Sequence, residues 1–372
     1  MKIAQIAPLA ECVPPKFYGG TERIVSYLTE ELVRQGHDVT LFASGDSRTA
    51  ARLIPCAEMA LRLNPSVRDS IPYQVMMLEE VRRRADDFDI LHFHIDLMHF
   101  PLVRDFAERT VTTLHGRLDM PDLQPFYRAF PELPLVSISD HQRLPMPPVN
   151  WVGTVYHGLD STLTFSPEAS GGYLAFLGRI SPEKRPDRAI EISRRAGIPL
   201  KIAAKVDRVD QEYWDDVIAP LIAENPHVEY IGEINEAQKA EFLGAATALL
   251  FPIDWPEPFG LVMIEAMACG TPVVAFRCGS VPEVVDHGVS GFIVDSIEQA
   301  VDAVHRARAL ERRRVRNTFE ARFTAERMAR DYVALYQRQL DAIKAEYSRD
   351  AIDRELRVVG SKWSGIGEHA VA

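Results

Sequence analysis

The segment ALLFPIDWPEPFGLVMIEAMACGTPVVAF, residues 248–276, has the pattern of a strand, a helix and a second strand in direct succession. ALLFPI and TPVVAF are short apolar runs that suit buried strands. Between them, from Phe259 to Ala268, the only polar side chain is that of Glu265. A chain that alternates strand and helix in this way builds a parallel sheet covered by helices on both faces.

The same alternation extends through the chain on both sides of this segment. It restarts near Gly171, where GYLAFLGRI, PLKIAAKV and HVEYIGEI each precede a helical pattern, and an earlier set begins with KIAQIAP and HDVTLFAS. The sequence therefore predicts two doubly wound, Rossmann-like α/β domains, 1–168 and 169–330, which face each other across a cleft at the carboxyl ends of their strands. Residues 331–372 are expected to form a C-terminal helix that packs back on the N-terminal domain, followed by a polar tail.

Composition excludes several classes of function. The chain has 372 residues, a net charge of −11 and a pI of about 5.5, which argues against nucleic acid as a partner because phosphate binding needs a basic face. No apolar stretch approaches the roughly 20 residues of a membrane-spanning helix. The N-terminus is too short in apolar residues for a secretory signal, and the four cysteines show no CxxC pairing. We expect a cytoplasmic protein.

Two carboxylates frame the apolar segment, Glu257 just before it and Glu265 within it. A buried carboxylate without compensation costs several kcal/mol. Glu265 must therefore have a partner or border a cavity. Because side chains on a helix lean toward its N-terminus, Glu265 leans toward the end where Glu257 lies. A simpler alternative is that Glu265 pairs with an arginine and that Glu257 is a surface acid.

The start of the predicted helix between these acids suits an anion. Pro258 fits the first turn, Gly270 fits the position after the end, and Gly260 allows a ligand to approach the backbone closely. Free amides and the positive end of the helix dipole favour a phosphate there. Carboxylates on either side of an anion suit hydroxyl groups, so a diphosphate with a sugar at each end, a nucleotide sugar, fits the pattern.

Two further loops carry groups that suit a phosphate. GRISPEK, residues 178–184, follows a strand and places Arg179 and Lys184 in the predicted strand-to-helix loop, where a guanidinium fork and an ammonium can bind phosphate oxygens. YGGTER, residues 18–23, opens a helix with Gly19 and Gly20. Taken singly, the first could be two solvated cations and the second an ordinary turn.

Together these segments resemble the family 4 glycosyltransferases, which are retaining enzymes of the GT-B fold. The resemblance extends over most of the chain and is closest in the C-terminal half, while residues 55–85 and 345–372 fall outside it. The motifs that carry it are the E-x7-E segment EPFGLVMIE with the following AMACGTPVVAFRCGSVPEVVDHGVSGFIV, GRISPEK, GGTER, and TVYHGLD at the end of the first domain.

The resemblance implies roles for the acidic and basic residues. Glu257 would contact hydroxyls of the donor sugar, with a positioning role favoured over that of a nucleophile, and Glu265 would hold the ribose. Arg179 and Lys184 would neutralise the departing diphosphate. His115, in TTLHG, would lie near the donor sugar.

The remaining donor contacts would come from backbone amides and one further lysine. The family often has a glycine-rich turn where this chain reads KIAAKVD, and Lys205 could supply a phosphate or base contact there instead. The resemblance implies no metal and no cofactor. The amides expected to complete the phosphate site belong to Gly19, Gly20, Phe259, Gly260 and Leu261.

The predicted function is thus a retaining transfer of a hexose from a nucleotide-diphosphate sugar to an acceptor hydroxyl. UDP-glucose is the first expectation and GDP-mannose the second, by family frequency rather than from any residue. The acceptor is open between a small molecule, a glycan and a lipid. Two alternatives remain at this point: a sugar-nucleotide epimerase or a sugar synthase on the same fold, and a non-catalytic nucleotide-sugar-binding protein.

Overall fold

A computed structural model describes residues 1–16 and 19–364 of the chain. In this part of the chain the first half builds a parallel sheet in the order β3-β2-β1-β4-β5-β6-β7. Its strands are β1 (Lys2–Ile6), β2 (Asp38–Ser44), β3 (Arg52–Ala57), β4 (Ile90–Phe93), β5 (Thr110–Thr113), β6 (Leu135–Ser137) and β7 (Trp151–Thr154).

The second half of the described chain builds another parallel sheet, in the order β10-β9-β8-β11-β12-β13. In both sheets the strand order reverses beside the first strand of the half, which is the point where open α/β sheets bind ligands. The strands are β8 (Leu174–Ile180), β9 (Leu200–Val206), β10 (Val228–Gly232), β11 (Ala248–Phe251), β12 (Val273–Phe276) and β13 (Gly291–Val294).

Helices connect the strands and cover the sheets. Those of the first half are α1 (Gly20–Arg34), α2 (Ile71–Arg83), α3 (Phe100–Val103) and α4 (Leu123–Ala129). Those of the second half are α5 (Pro186–Ala196), α6 (Gln211–Tyr213), α7 (Ala219–Glu224), α8 (Glu236–Ala245), α9 (Leu261–Ala268), α10 (Val281–Val284), α11 (Ile297–Ala307), α12 (Arg312–Arg322) and α13 (Ala325–Ser364). A π-helical segment, Trp214–Ile218, joins α6 to α7.

Burial on both faces of the sheet explains why several strands of the second half are continuously apolar in sequence. All residues of β11, β12 and β13 are buried, as expected for parallel strands covered on both faces. The predicted pair of doubly wound α/β domains is confirmed. The proposed limits at residues 168 and 330 stay predictions, since β7 ends at Thr154 and β8 begins only at Leu174.

The long helix α13 returns to the first sheet, as predicted. It packs along α1, and its buried tyrosines reach the ends of two central strands. The hydroxyl of Tyr332 lies 2.8 Å from Thr113 Oγ1, and that of Tyr336 lies 2.6 Å from His92 Nδ1. The end of the predicted polar tail, residues 365–372, lies outside the described residues. Among the described helices, none combines the length and the apolar character that crossing a membrane requires.

Candidate functional site

A cavity of about 750 Å³ lies between the carboxyl ends of the two sheets. Its wall contains residues of both halves of the chain, so neither domain could form it alone. All the site residues predicted from the sequence line this one cavity: Gly19, Gly20, His115, Arg179, Lys184, Lys205, Glu257, Phe259, Gly260, Leu261 and Glu265. The structure therefore brings together groups that are up to about 246 positions apart in the sequence.

The helix that follows β11 starts later than the sequence suggested. Pro258 was expected in its first turn, but α9 begins at Leu261, and Pro258 lies in the preceding loop. The cause is Gly260, which adopts a left-handed conformation with φ 79° and thereby separates the loop from the helix. A Cβ atom at this glycine would lie 2.8 Å from Met263 Cε. A residue with a side chain at position 260 would therefore be strained in its backbone and crowded by Met263.

The end of α9 agrees with the sequence. Gly270 follows the helix with φ 80°, and its amide donates to the carbonyl of Met267 at 2.9 Å. The amide of Thr271 donates to the carbonyl of Ala266 at 2.8 Å. This pair of hydrogen bonds is the Schellman arrangement, which satisfies the last carbonyls of a helix.

Two helix N-termini converge on the cavity. Helix α1 begins at Gly20 and α9 at Leu261, and a Cβ atom on Gly20 would lie 3.5 Å from Leu261 Cδ1. Gly19 is packed still more closely, because a Cβ atom there would lie 2.8 Å from Pro15 Cβ. Free amides and positive dipole ends from both domains thus face the same space, which suits an anion.

Glu265 is 5% exposed and is held by an ion pair. Its partner is not the arginine considered from the sequence but Lys239 on α8, whose Nζ lies 2.7 Å from Glu265 Oε1. The same ammonium lies 2.6 Å from Glu236, and Glu236 in turn lies 3.0 Å from Arg23 of the first domain. Burial by itself would lower the pKa of Lys239, but the charges of Glu265 and Glu236 raise it overall. A connected network of ion pairs therefore links the second domain to the first.

Glu257 is also buried, at 8% exposed, and so is not a surface acid. It forms an ion pair with Lys184, and the indole Nε1 of Trp255 donates to Glu257 Oε2 at 3.1 Å. Lys184 lies in a short 3-10 turn, Pro182–Lys184, directly after β8. The loop after β11 and the turn after β8 thus meet through one carboxylate.

Arg179 and Lys205 lie on strands rather than in loops. Arg179 was predicted to follow its strand, but β8 pairs with β9 as far as Ile180 and includes it. Its guanidinium forms ion pairs with Glu183 and, at 3.4 Å, with Asp210, while Lys205 Nζ lies 2.6 Å from Asp207. Each cation predicted to bind phosphate therefore also contacts a carboxylate of this chain.

His115 lies two positions beyond the carboxyl end of β5. Its Nε2 is 2.9 Å from His94 Nδ1, and its ring stacks on that of His157 with 5.3 Å between centroids. Burial lowers the pKa of His115 to about 3, so the imidazole is neutral near pH 7. His115 can therefore donate or accept a hydrogen bond but supplies no charge.

Sequence reasoning missed several residues of the cavity wall. Trp255 stood next to the acidic motif, and His157 stood in TVYHGLD, which was interpreted only as a domain end. Lys239 gave no signal, because a lysine on an amphipathic helix is usually solvated. Arg23 ends the GGTER motif but was given no role of its own. Their positions depend on how the helices pack.

Two Rossmann-like domains with a site in the cleft between them define the GT-B class of glycosyltransferase folds. The chain belongs to glycosyltransferase family 4: the model described as Glycosyltransferase Family 4 matches residues 18–151, and the model described as Glycosyl transferases group 1 matches residues 167–322. The resemblance found in the sequence is thereby confirmed.

Two curated relatives are similar to this chain over most of their length. The N-acetyl-alpha-D-glucosaminyl L-malate synthase of Bacillus anthracis is 26% identical over 367 residues, which cover 86% of this chain and 93% of the relative. The D-inositol 3-phosphate glycosyltransferase of Mycolicibacterium smegmatis is 24% identical over 394 residues, covering 91% of each.

Solved structures share the fold at lower identity. The sucrose-phosphate synthase of Thermosynechococcus elongatus superposes with a TM-score of 0.75 at 18% identity, covering 92% of this chain and 99% of that one. A glycosyltransferase involved in avilamycin A biosynthesis superposes with a TM-score of 0.68 at 22% identity, covering 92% and 98%. At these identities the likeness concerns the fold alone.

Proposed function

We propose that this protein transfers a hexose from a nucleotide-diphosphate sugar to an acceptor hydroxyl, with retention of the anomeric configuration and without a metal ion. The observation that carries the proposal is the cavity wall, in which two buried carboxylates, Glu257 and Glu265, lie on either side of the N-terminus of α9. A diphosphate at that N-terminus would have a sugar directed to each acid.

The nucleotide half of the donor is assigned to the α9 end of the cavity. Glu265 accepts hydrogen bonds from the ribose hydroxyls, and its ion pair with Lys239 holds the carboxylate in one orientation. Lys205 contributes a contact to the phosphate or the base. The amides of Gly19 and Gly20 in the first domain, and those from Phe259 to Leu261 in the second, bind the phosphate oxygens.

The reacting half of the donor is assigned to Glu257, Lys184, Arg179 and His115. Negative charge grows on the β-phosphate as the glycosidic bond breaks, and preorganised cations stabilise that charge. Lys184 and Arg179 supply the positive charge that stabilises the leaving phosphate. For this reason we propose that no metal ion is needed. Glu257 positions a sugar hydroxyl. His115 is neutral, so it supplies a hydrogen bond near the sugar without adding a charge there.

Retention follows from the direction of attack. The acceptor hydroxyl approaches the anomeric carbon from the face that the phosphate leaves, and the departing phosphate oxygen takes the hydroxyl proton. This route uses no enzyme nucleophile, in agreement with a positioning role for Glu257. Two donors, Lys184 and the indole of Trp255, hold Glu257, which suits a carboxylate kept in place to accept a hydrogen bond from the sugar.

For the donor we propose UDP-glucose first and GDP-mannose second, on family frequency. The names of the curated relatives add N-acetylglucosamine as a further sugar, and malate and inositol 3-phosphate as acceptors to be tried. Both of these acceptors are small hydroxy compounds with an anionic group.

Calorimetric titration with UDP, GDP, ADP and their glucose, mannose and N-acetylglucosamine esters, with and without EDTA, tests the proposal. We expect one base series to bind equally well in both conditions. The anomeric configuration of the product, measured by NMR with the donor that binds, tests retention. Binding of nucleotide sugars without any transfer or hydrolysis would favour a binding protein, and an absence of binding would refute the proposal.

A further inference from the structure

Trp255 lies beside the residues of the proposed reaction but has no role in the steps described above. It lies in the loop between β11 and α9 and contributes to the cavity wall. Two cations lie near its ring: Lys184 Nζ at 4.8 Å and Arg117 Cζ at 5.7 Å from the centroid. Arg117 belongs to the first domain and Lys184 to the second, so the indole ring lies where the two halves of the cavity meet.

The indole N–H and the lysine ammonium share one oxygen of Glu257. Trp255 Nε1 donates to Oε2 at 3.1 Å, and Lys184 forms its ion pair with the same atom. Among the residues that the structure describes, no hydrogen bond reaches Oε1 of Glu257. One oxygen of the carboxylate is therefore anchored twice, and the other is left for a ligand.

These two anchors respond differently to a bound diphosphate. An ammonium is attracted by phosphate oxygens, so Lys184 cannot give its full interaction to both the phosphate and Glu257. The indole N–H is uncharged and donates a single hydrogen bond in a fixed direction. Cation–π contacts with Lys184 and Arg117 further favour the present position of the ring.

We propose that Trp255 is a positioning residue that keeps Glu257 in place while Lys184 turns to the phosphate of the donor. The inference rests on the proposed function and adds a residue to its site. With Oε2 retained by the indole, Oε1 accepts the hydrogen bond from the donor sugar. When the donor binds, Lys184 is shared between Glu257 and the phosphate. Without the indole N–H, Glu257 would then have no other group to hold it.

The variant Trp255→Phe distinguishes the effect of the indole N–H from that of the aromatic ring. Phenylalanine keeps an aromatic face for the two cations but cannot donate to Glu257. The matched control is Trp214→Phe, since Trp214 packs on Tyr230, with 4.5 Å between ring centroids, and does not line the cavity. Glu257→Ala and the double variant with Trp255→Phe complete a double-mutant cycle, which measures whether the two residues act through each other. Alanine is used because a glutamine at this position would still accept the hydrogen bond of the indole.

The experiment measures three quantities for each variant: the affinity for UDP by calorimetry, the rate at which UDP is released from UDP-glucose, and the melting temperature. We expect Trp255→Phe to keep the UDP affinity within about twofold and to lower the rate by about 10- to 100-fold, the effect of one hydrogen bond to a charged group. The double variant should be no slower than Glu257→Ala, and Trp214→Phe should match the wild-type protein in all three quantities.

Two results would overturn the assignment of Trp255. One is a rate for Trp255→Phe within about twofold of the wild-type rate, and the other is a double variant in which the two losses multiply. A merely structural role would lower both UDP affinity and melting temperature. Failure of the proposed function looks different, because the wild-type protein itself would then neither bind UDP, GDP or ADP nor consume their sugar esters.

Discussion

Replacement of Glu265 by glutamine tests whether this buried acid holds the nucleotide or only supports the fold. Glutamine has nearly the same shape, so the change removes the charge without opening a cavity. If the carboxylate accepts the ribose hydroxyls, the loss of charge should cost about 1.5–3 kcal/mol of binding free energy, or roughly 10- to 150-fold in the Kd for UDP.

The cost to stability can be worked from the ion pairs around Glu265. Breaking a buried pair costs about 3–5 kcal/mol when the remaining charge has no other partner. Lys239 does have another partner, since Glu236 lies 2.6 Å from its ammonium. We therefore expect a loss of only about 1–2 kcal/mol, which corresponds to a fall in Tm of roughly 2–8 °C.

Calorimetric titration with UDP and thermal unfolding measure these two effects on the same sample. Glu236→Gln is the matched comparison, because it removes a charge from the other side of Lys239 without touching the proposed ribose contact. We expect it to lower the Tm by a similar amount and the UDP affinity by less than about threefold. If Glu265→Gln lowers the Tm but binds UDP like the wild-type protein, the ribose assignment is refuted and Glu265 is structural.

Three further predictions concern turnover, backbone conformation and pH. Lys184→Ala should lower the rate of UDP release by about 100-fold or more, as for the loss of one electrostatic stabiliser, and a wild-type rate would remove Lys184 from the site. Gly260→Ala should lower stability by about 1–3 kcal/mol through backbone strain, with more lost to the 2.8 Å contact with Met263. Gly172→Ala has a similar φ of 63° but no neighbour within 4 Å, so an equal fall in Tm for both variants would contradict crowding at Gly260. Burial lowers the pKa of His99 to about 3, whereas the unfolded chain protonates near pH 6.5. Between these values the unfolded state binds the extra proton, so stability falls as the pH falls, by up to about 1.4 kcal/mol per pH unit for this group. His99→Gln should make the decline between pH 6.5 and pH 4 less steep in urea unfolding, and an unchanged slope would show that His99 does not contribute to it.

The sequence predicted the general fold because strand and helix patterns are local. Four consecutive apolar residues in β11 and in β12 are enough to indicate strands buried on both faces. Boundaries were less predictable. The start of α9 depended on Gly260, whose backbone is left-handed and where a Cβ atom would crowd Met263 and Phe251. Arg179 became part of β8 because pairing with β9 extends that strand.

The acidic and basic residues of the site could be chosen from the sequence, but their partners could not. A carboxylate in an apolar helix is unusual at any position, so Glu265 could be selected from the sequence alone. Its cation, Lys239, lies 26 positions away on another helix, and nothing local distinguishes it from a solvated lysine. Arg23 lay within the GGTER motif, but its partner Glu236 could not be predicted, because the two meet only where the domains face each other.

The sequence by itself determined the two doubly wound domains, the motifs of family 4 and the identity of the groups that line the cleft. Of the cleft, these groups include the carboxylates, cations and glycines chosen from the sequence, and not Trp255, His157 or Lys239. What the sequence determined depends on short-range periodicity and on residue types that are costly to bury. Only the tertiary structure decided how the charges are paired: Lys184 with Glu257, Lys239 with Glu265, and the indole of Trp255 with Glu257. The two ion pairs join segments 73 and 26 positions apart, so they exist only when both sheets and the helices between them have packed. Trp255 is only two positions from Glu257, but its indole reaches the carboxylate through the conformation of the loop between β11 and α9.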